Sequence, residues 1–567
     1  MDKRIDAIRS ILEGIYGPEK GRSAFEEIWP LIDGDSPIET VRGDYFSQED
    51  AILITYGHSL RKEGRLPLDI LDEFANQFLK DHYSTIHILP FFPFSSDDGF
   101  SVIDYYDVDP SLGSWEQIQR MREEFKLMFD LVLNHVSAES KWFKAYLNEK
   151  AGFEDLAIQI DSSMDISNVV RPRTLPLGTD VTTASGATRR IWTTFSPDQI
   201  DLNYDSIGVL KRIIGVLIFY LKQGATDIRL DAIAYLWKES GSSCIHLPQA
   251  HGIVKLFRRI LDILSPTTRI ITETNVPHDE NIRYFGDGQD EAQLVYNFTL
   301  PPLLLHAFIR EDATALSTWA AGLTLASESN TFLNFTASHD GIGVRPLEGI
   351  LPRAEIALLA RRVRENGGHV SEYQSSDGSR PYELNITYID ALLFRKDVRD
   401  DNHVARFLSS QAISFALPGV PATYINSLLG CRNWEEGVKQ TGRARSINRE
   451  SVAIDAIMSD LDDPGTFSSK IMHPYLAFVR IRRKQAAFHP NASFDILSLD
   501  PRVFAIKRSC DSQCIYALSN ISSRPVSVSL TEKGVAARLQ DLLTEEIFIT
   551  KDIHLRPYQF VWLSQEG

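Results

Sequence analysis

Short, near-continuous apolar runs alternate along the chain with segments whose apolar residues recur every three or four positions. The runs are AILITY (51–56), TIHILP (85–90), LMFDLVL (127–133), ATDIRL (225–230), TRIIT (268–272), QLVYNF (293–298), TFLNFTA (331–337) and VPATYI (420–425). Such runs fit parallel strands buried on both faces, which show no polar alternation. Helical patterns lie between most of them, including LDILDEFANQFLKDHY, WEQIQRMREEFK, SIGVLKRIIGVLIFYLKQG, AHGIVKLFRRILDIL and ARFLSSQAISFAL. Eight strands alternating with helices predict an α/β fold, a (β/α)8 TIM barrel.

Two intervals are too long for plain connections. Residues 136–205 contain RPRTLPLGTDVTTASGATRR and follow the third strand; residues 341–405 contain SEYQSSDGSRPYELN and follow the seventh. Their turn-rich composition predicts two inserted subdomains rising from the C-terminal face of the barrel. Past about residue 487 the helical pattern stops. RVFAIKRS, QCIYALSNI, PVSVSLT and YQFVWLS there predict a C-terminal antiparallel β domain. The expected order is barrel 1–135 with an N-terminal helical extension, insertion 136–205, barrel 206–340, insertion 341–405, barrel end 406–486 and β domain 487–567.

Composition narrows the partners. The 567 residues carry a formal net charge of −17, from 76 acidic and 59 basic side chains. That excess argues against a nucleic-acid or anionic-membrane surface. An anionic ligand must therefore meet a local pocket of Arg, Lys, His and backbone N–H groups. The four cysteines, Cys244, Cys431, Cys510 and Cys514, lack zinc spacing and fit reduced thiols in a cytoplasmic protein. The opening MDKRIDAIRSILEGIYG is an acidic amphipathic helix rather than a signal peptide. No run of about 18 apolar residues predicts a membrane span. A monomer and a homodimer are both compatible with the pattern.

Charged residues gather where the strands should end. The third strand closes on Asp130, Asn134 and His135, the fourth on Arg229 and Asp231, the fifth on Glu273, and the seventh on His339 and Asp340. In a (β/α)8 barrel, active sites are built from these C-terminal ends. Any one of these charges reads most simply as a structural pair or a strand cap. Their recurrence at the same end of successive strands favours a site. Arg229 and Asp231 are two apart, so they face the same way, and a guanidinium beside Asp231 favours an ionised, oriented carboxylate. That is what a glycosidic nucleophile requires. Glu273 then has to hold a proton, and Asp340 nearby raises its affinity for one.

DLVLNH, IRLDAIAY, ITETN and ASHD resemble, in order and spacing, the four signature regions of the α-amylase family (glycoside hydrolase family 13). The resemblance covers about residues 50–567. PFSSDDGFSVIDYYDV, TTFSPDQIDLNY, YELNITYIDALL and GRARSINR look like its sucrose-phosphorylase branch. WKESGSSCIHLPQAH, ITETNVPHDENIRYFG and SHDGIGVRPLEGILP resemble the glucosylglycerate phosphorylases within that branch. The resemblance implies Asp231 as nucleophile, Glu273 as acid/base and Asp340 as transition-state stabiliser. It implies Asp98, Phe100, His135, Arg229, His339 and Arg445 around the glucosyl ring, Asn275, Tyr382 and Glu383 toward the acceptor, and Tyr235 among the substrate-binding residues. Asn275 stands where sucrose phosphorylases have His, and Glu383 where they have Gln, so sucrose is not carried over as the substrate. Asn134 matches a calcium ligand of metal-binding amylases. The phosphorylase branch typically lacks that ion, so no metal and no cofactor are expected.

The implied reaction is reversible phosphorolysis of an α-glucoside to α-glucose 1-phosphate through a covalent glucosyl-enzyme, with phosphate as co-substrate. The alternatives are phosphorylases of sucrose, sucrose 6'-phosphate or glucosylglycerol, or a hydrolase or transglucosidase of the same family. A non-catalytic binding protein would have lost a carboxylate, and all three are present. Glycerate, a small carboxylate acceptor, needs a fork of donors. Arg173 is the first candidate, with Arg171 and Arg380 beside it in sequence or across the mouth, and Glu383 is offered to the glycerate hydroxyls. Trp237 and Lys238 read equally as acceptor contacts or as helix-surface or packing residues. Cys244 and the aromatics of HILPFFPF read as core.

Overall fold

The computed structural model describes residues 3–34, 38, 44–171, 175–375, 378–394, 400–530 and 535–565. All eight expected strands form: β1 (Ile52–Thr55), β2 (Thr85–Ile88), β3 (Lys126–Val132), β4 (Ala225–Asp231), β5 (Arg269–Thr272), β6 (Leu294–Tyr296), β7 (Thr331–Asn334) and β8 (Val420–Tyr424). Each pairs in parallel with its neighbours in sequence, and β8 pairs with β1 to close the barrel. Nearly every strand residue is buried, which is why the strands read as unbroken apolar runs. Several strands end before their apolar runs do. TFLNFTA leaves the barrel after Asn334, and its remaining residues begin the loop that carries His339 and Asp340.

The helices between the strands bury one stripe against the barrel. Helix Pro248–Leu264 opens on a proline at its first position and buries Ile253, Val254, Phe257, Ile260 and Leu261. At the N-terminus two helices stand where one was expected, Lys3–Tyr16 and Pro18–Asp33. Gly17 separates them at φ +81°, and Pro18 starts the second. The first packs on helix Pro248–Leu264.

Within 136–205, His135–Ser137 pairs with Gln199–Asp201, and Gly178–Thr182 with Thr188–Trp192. Within 341–405, Ile342–Gly343, Gly378–Asn385 and His369–Ser375 form a three-stranded sheet beside helix Arg353–Glu365. The next barrel helix, Asp401–Ala416, starts ahead of the expected boundary at 406, because Asp400 caps it by accepting the His403 N–H. After helix Phe467–Arg482 the chain forms a six-stranded antiparallel sheet and a separate strand pair, Val526–Val528 with Ile553–Leu555. One face of that sheet has its own apolar core, while Phe504, Ile506, Ile515 and Trp562 on the other join the large core around the barrel.

Candidate active site

The β3–β4 register sets Asp130 beside Arg229 and Val132 beside Asp231. Arg229 is only 2% exposed, so its charge must be met inside. Its Nη1 donates to Asp130 and, at 2.9 Å, to Asp231 Oδ1; its Nη2 lies 4.0 Å from Glu273 Oε2. Asp130 is held in turn by His87 at 2.7 Å. This chain explains why a buried strand ends on two charges: the third, from the neighbouring strand, completes it. The Arg229 guanidinium also lies 5.6 Å from the Phe100 ring centroid and 5.4 Å from that of Tyr296.

Beyond Asp231 the backbone turns through Ala232 in the left-handed region, at φ 52°. A non-glycine residue there is strained, and such strain gathers at functional sites. The turn aims the Ala232 N–H at Glu273 Oε2, 3.1 Å away. The strand end thus orients the carboxylate of the next strand.

Burial lifts the Asp231 carboxyl well above its ordinary value, and Arg229 opposes the shift. Arg229 thus favours the ionised form as expected, against the larger effect of burial. Burial also raises Glu273, with Arg229 opposing and Asp340 adding to the rise. The two carboxyls titrate as a pair. Arg229 lies nearer to Asp231 than to Glu273, at 2.9 against 4.0 Å, which favours placing the charge of the pair on Asp231. At Asp340 burial also acts upward, but Arg445, His339 and Arg449 outweigh it and hold the group well below the usual carboxylate range. Burial pushes His339 down to about 3, so its imidazole is neutral at neutral pH.

One cavity gathers Asp231, Glu273 and Asp340 with Phe100, His135, His339, Tyr235, Asn275 and Tyr382. His339 stacks on Phe100 with ring centroids 4.7 Å apart. His135 donates its Nε2–H to the Phe100 carbonyl at 2.8 Å. Phe195 and Gln199, which sequence reasoning did not single out, also line the cavity.

Asp98 is a correction. Its carboxylate turns to Arg449, and Asp97 lines the cavity instead. Both aspartates adopt the left-handed region, φ 55° and 49°, which Asp tolerates better than most residues. Gly99 follows at φ +109°, where a Cβ would stand 2.5 Å from the Pro90 carbonyl oxygen. The turn is clasped from the 136–205 segment: the Asp198 carboxylate accepts from Ser95 at 2.6 Å, from Ser101 at 2.7 Å, and from Ser96.

Glu383 is engaged from across the mouth. Arg445 donates to both of its oxygens, at 3.0 and 2.7 Å, and also pairs with Asp340 at 2.6 Å. Each Glu383 oxygen keeps a lone pair for a further donor. Arg449, not expected from the sequence, donates Nε to the His339 carbonyl at 2.7 Å and fixes the loop after β7. Arg173 lies outside the described residues, and Arg171 donates to the Leu175 carbonyl.

Lys238 proves to be neither an acceptor contact nor a surface residue. Its ammonium lies 2.5 Å from Asp201 Oδ2 and 3.0 Å from Asn134 Oδ1, and it donates to the Tyr235 carbonyl. Asn134 is the position that matches a calcium ligand in metal-binding amylases. A lysine ammonium already centred among these three oxygens does not fit a bound cation. Among the described residues, no group of three or more His, Cys, Asp or Glu side chains could hold a metal ion, and no helix is long and apolar enough to cross a membrane.

A closed barrel with three carboxylates and an arginine at its strand ends defines a class. Residues 77–340 match the family described as "Alpha amylase, catalytic domain", and the chain belongs to this α-amylase family, glycoside hydrolase family 13. It is 43% identical to a glucosylglycerate phosphorylase of Escherichia coli (strain K12), over 98% of this chain and 99% of that one. It is 45% identical to a glucosylglycerate phosphorylase of Spirochaeta thermophila, over 99% and 98%. Among solved structures, the sucrose 6F-phosphate phosphorylase from Thermoanaerobacter thermosaccharolyticum superimposes with a TM-score of 0.74 at 24% identity, over 88% of this chain and 98% of that one.

Proposed function

We propose that this enzyme is a retaining α-glucosyl phosphorylase that interconverts 2-O-α-D-glucosyl-D-glycerate and phosphate with α-D-glucose 1-phosphate and D-glycerate. The observation that carries the reading is the match, over nearly its whole length, to glucosylglycerate phosphorylases at 43% and 45% identity. The geometry supports a mechanism.

Asp231, aimed by Arg229, attacks the anomeric carbon, and Glu273 gives its proton to the departing glycerate oxygen. The C1–O bond to glycerate breaks and a β-glucosyl ester on Asp231 forms. A phosphate oxygen then attacks C1, the ester bond breaks, and the phosphate proton returns to Glu273. Double displacement needs two carboxyls about 5–5.5 Å apart, and one guanidinium touching Asp231 and approaching Glu273 suits that spacing. Asp340, held ionised by Arg445, stabilises positive charge at C1 in the transition state. Phe100 and His339 form an aromatic platform for the glucosyl ring. We take segments 136–205 and 341–405 as subdomains roofing this pocket.

The test is an acceptor screen with α-glucose 1-phosphate as donor, following phosphate release. Glycerate is expected to be the best acceptor, ahead of fructose, glycerol and water. Preference for fructose would assign a sucrose phosphorylase, and free glucose as main product a hydrolase.

A further inference from the structure

On this reading two anions, phosphate and the glycerate carboxylate, arrive at the same side of the glucosyl-enzyme in opposite directions. The cavity wall is poorly prepared for either. Asp97, Asp231, Asp340 and Glu383 stand on or beside it. Its lining guanidinium, Arg445, is spent on Asp340 and Glu383, while Arg229 and Arg449 are held by Asp130, Asp231 and Asp98. An anion therefore needs a cation from just beyond this wall.

The acceptor must lie beside Glu273, since that residue protonates the leaving oxygen. The wall there is Tyr235, Asn275 and Tyr382. Asn275 is pressed against Gly343, whose added Cβ would fall 2.4 Å from Asn275 Nδ2. Asn275 Oδ1 is buried with no hydrogen-bond partner, an acceptor facing no donor. Gly343 in turn pairs with Glu383, and the next residue, Val344, donates its N–H to the Tyr382 carbonyl at 3.0 Å. Arg345 follows directly, opening the short turn Arg345–Leu347. It is half-buried and acts electrostatically on the Tyr235 hydroxyl and on His246, and its side chain has neither hydrogen bond nor ion pair among the described residues.

We infer that Arg345 receives the anionic group of the second substrate, the carboxylate of glycerate in one direction and phosphate in the other, with Asn275 Oδ1 accepting from a hydroxyl beside it. A half-buried guanidinium without a counter-ion among the described residues, joined by two residues of backbone to the wall beside the acid/base, is the fork such an anion fits. The inference rests on the phosphorylase reading above.

The experiment uses α-glucosyl fluoride, a donor that carries neither carboxylate nor phosphate, with glycerate and with glycerol, which has the same skeleton but no carboxylate. In Arg345→Ala, fluoride release without acceptor should stay within about threefold of the parent. The KM for glycerate should rise about tenfold to a hundredfold, as loss of a charged hydrogen bond implies, and that for glycerol should hardly move. Arg345→Lys should restore part of the glycerate affinity. If the parent enzyme prefers glycerate but Arg345→Ala keeps that preference, the assignment of Arg345 is wrong. Loss of fluoride release in Arg345→Ala would also overturn it, by placing the residue in the donor site. If the parent enzyme itself shows no preference for glycerate over glycerol, the glucosylglycerate reading fails instead.

Discussion

Replacing Lys238 by methionine keeps the stem of the side chain and removes its charge. Lys238 and Asp201 are both almost wholly buried, at 2% and 0% side-chain exposure, with Nζ 2.5 Å from Oδ2. At an effective dielectric constant of about 20, the Coulomb attraction at that distance is roughly 6–7 kcal/mol. Desolvation of both ions offsets much of it, but breaking one partner of a buried pair leaves the other uncompensated and costs about 3–5 kcal/mol. Asp201 would retain the Thr194 N–H at 2.8 Å, the Thr194 hydroxyl at 2.6 Å and Asn134 Nδ2 at 3.2 Å, so the lower half of that range is expected. The assay is urea unfolding of the parent, Lys238→Met, Asp201→Asn and the double variant, followed by tryptophan fluorescence. The double variant should recover much of the loss, because it removes both charges together. A loss below about 1 kcal/mol in Lys238→Met, or full additivity in the double variant, would refute the argument that Lys238 and Asp201 form a mutually dependent buried pair.

Asp231→Asn should abolish turnover of every donor. Glu273→Gln should fail with natural glucosides yet still form the glucosyl-enzyme from α-glucosyl fluoride, whose leaving group needs little protonation; equal inactivity on the fluoride would contradict the assigned roles. Because burial raises Glu273, its acid form persists above the ordinary carboxylate range, and glucoside cleavage should decline as pH rises through that raised value. Fluoride release should lack this alkaline decline, and a shared pH profile for both donors would remove Glu273 as the acid. His339, pushed down to about 3, should contribute no step between pH 5 and 8.

The barrel was legible because each strand is buried on both faces and reads as one apolar run. The N-terminal pair of helices was half legible: Ala24, Phe25, Ile28 and Ile32 have helical spacing and Pro18 marks a start, so the signal for the second helix was present. The site was legible where partners are near in sequence or fall on neighbouring strands, as with Arg229, Asp231 and Glu273. It was illegible where chemistry depends on distant pairing. Glu383 and Arg445 are 62 positions apart, and Lys238 and Asn134 104 apart, so nothing local shows that the first two neutralise each other or that the lysine is buried. Asp97 and Asp98 are the same residue type side by side. Only the left-handed turn, set by Gly99 and the serines around Asp198, decides which carboxylate faces the pocket.

The charge inventory of the pocket also bears on which form of phosphate reacts. When Asp231 is esterified its charge disappears, but Glu273 has then given up its proton, so negative charge moves from nucleophile to acid/base without leaving the cavity. The incoming group must return that proton. Phosphate brings one with it, and its monoanion both carries more protons and meets less repulsion from a wall where carboxylates outnumber guanidiniums. Glycerate attacks through a hydroxyl, and its carboxylate keeps a single charge across the neutral range. Phosphorolysis therefore weakens with rising pH on two counts, the loss of the Glu273 proton and the second ionisation of phosphate near neutrality. In synthesis the corresponding ionisation falls on the phosphate of the donor, before the ester forms, while attack by glycerate is untouched by it. The two half-reactions thus differ in pH dependence at the anion rather than at the carboxylates, and the guanidinium of Arg345 is the group placed to meet both charges.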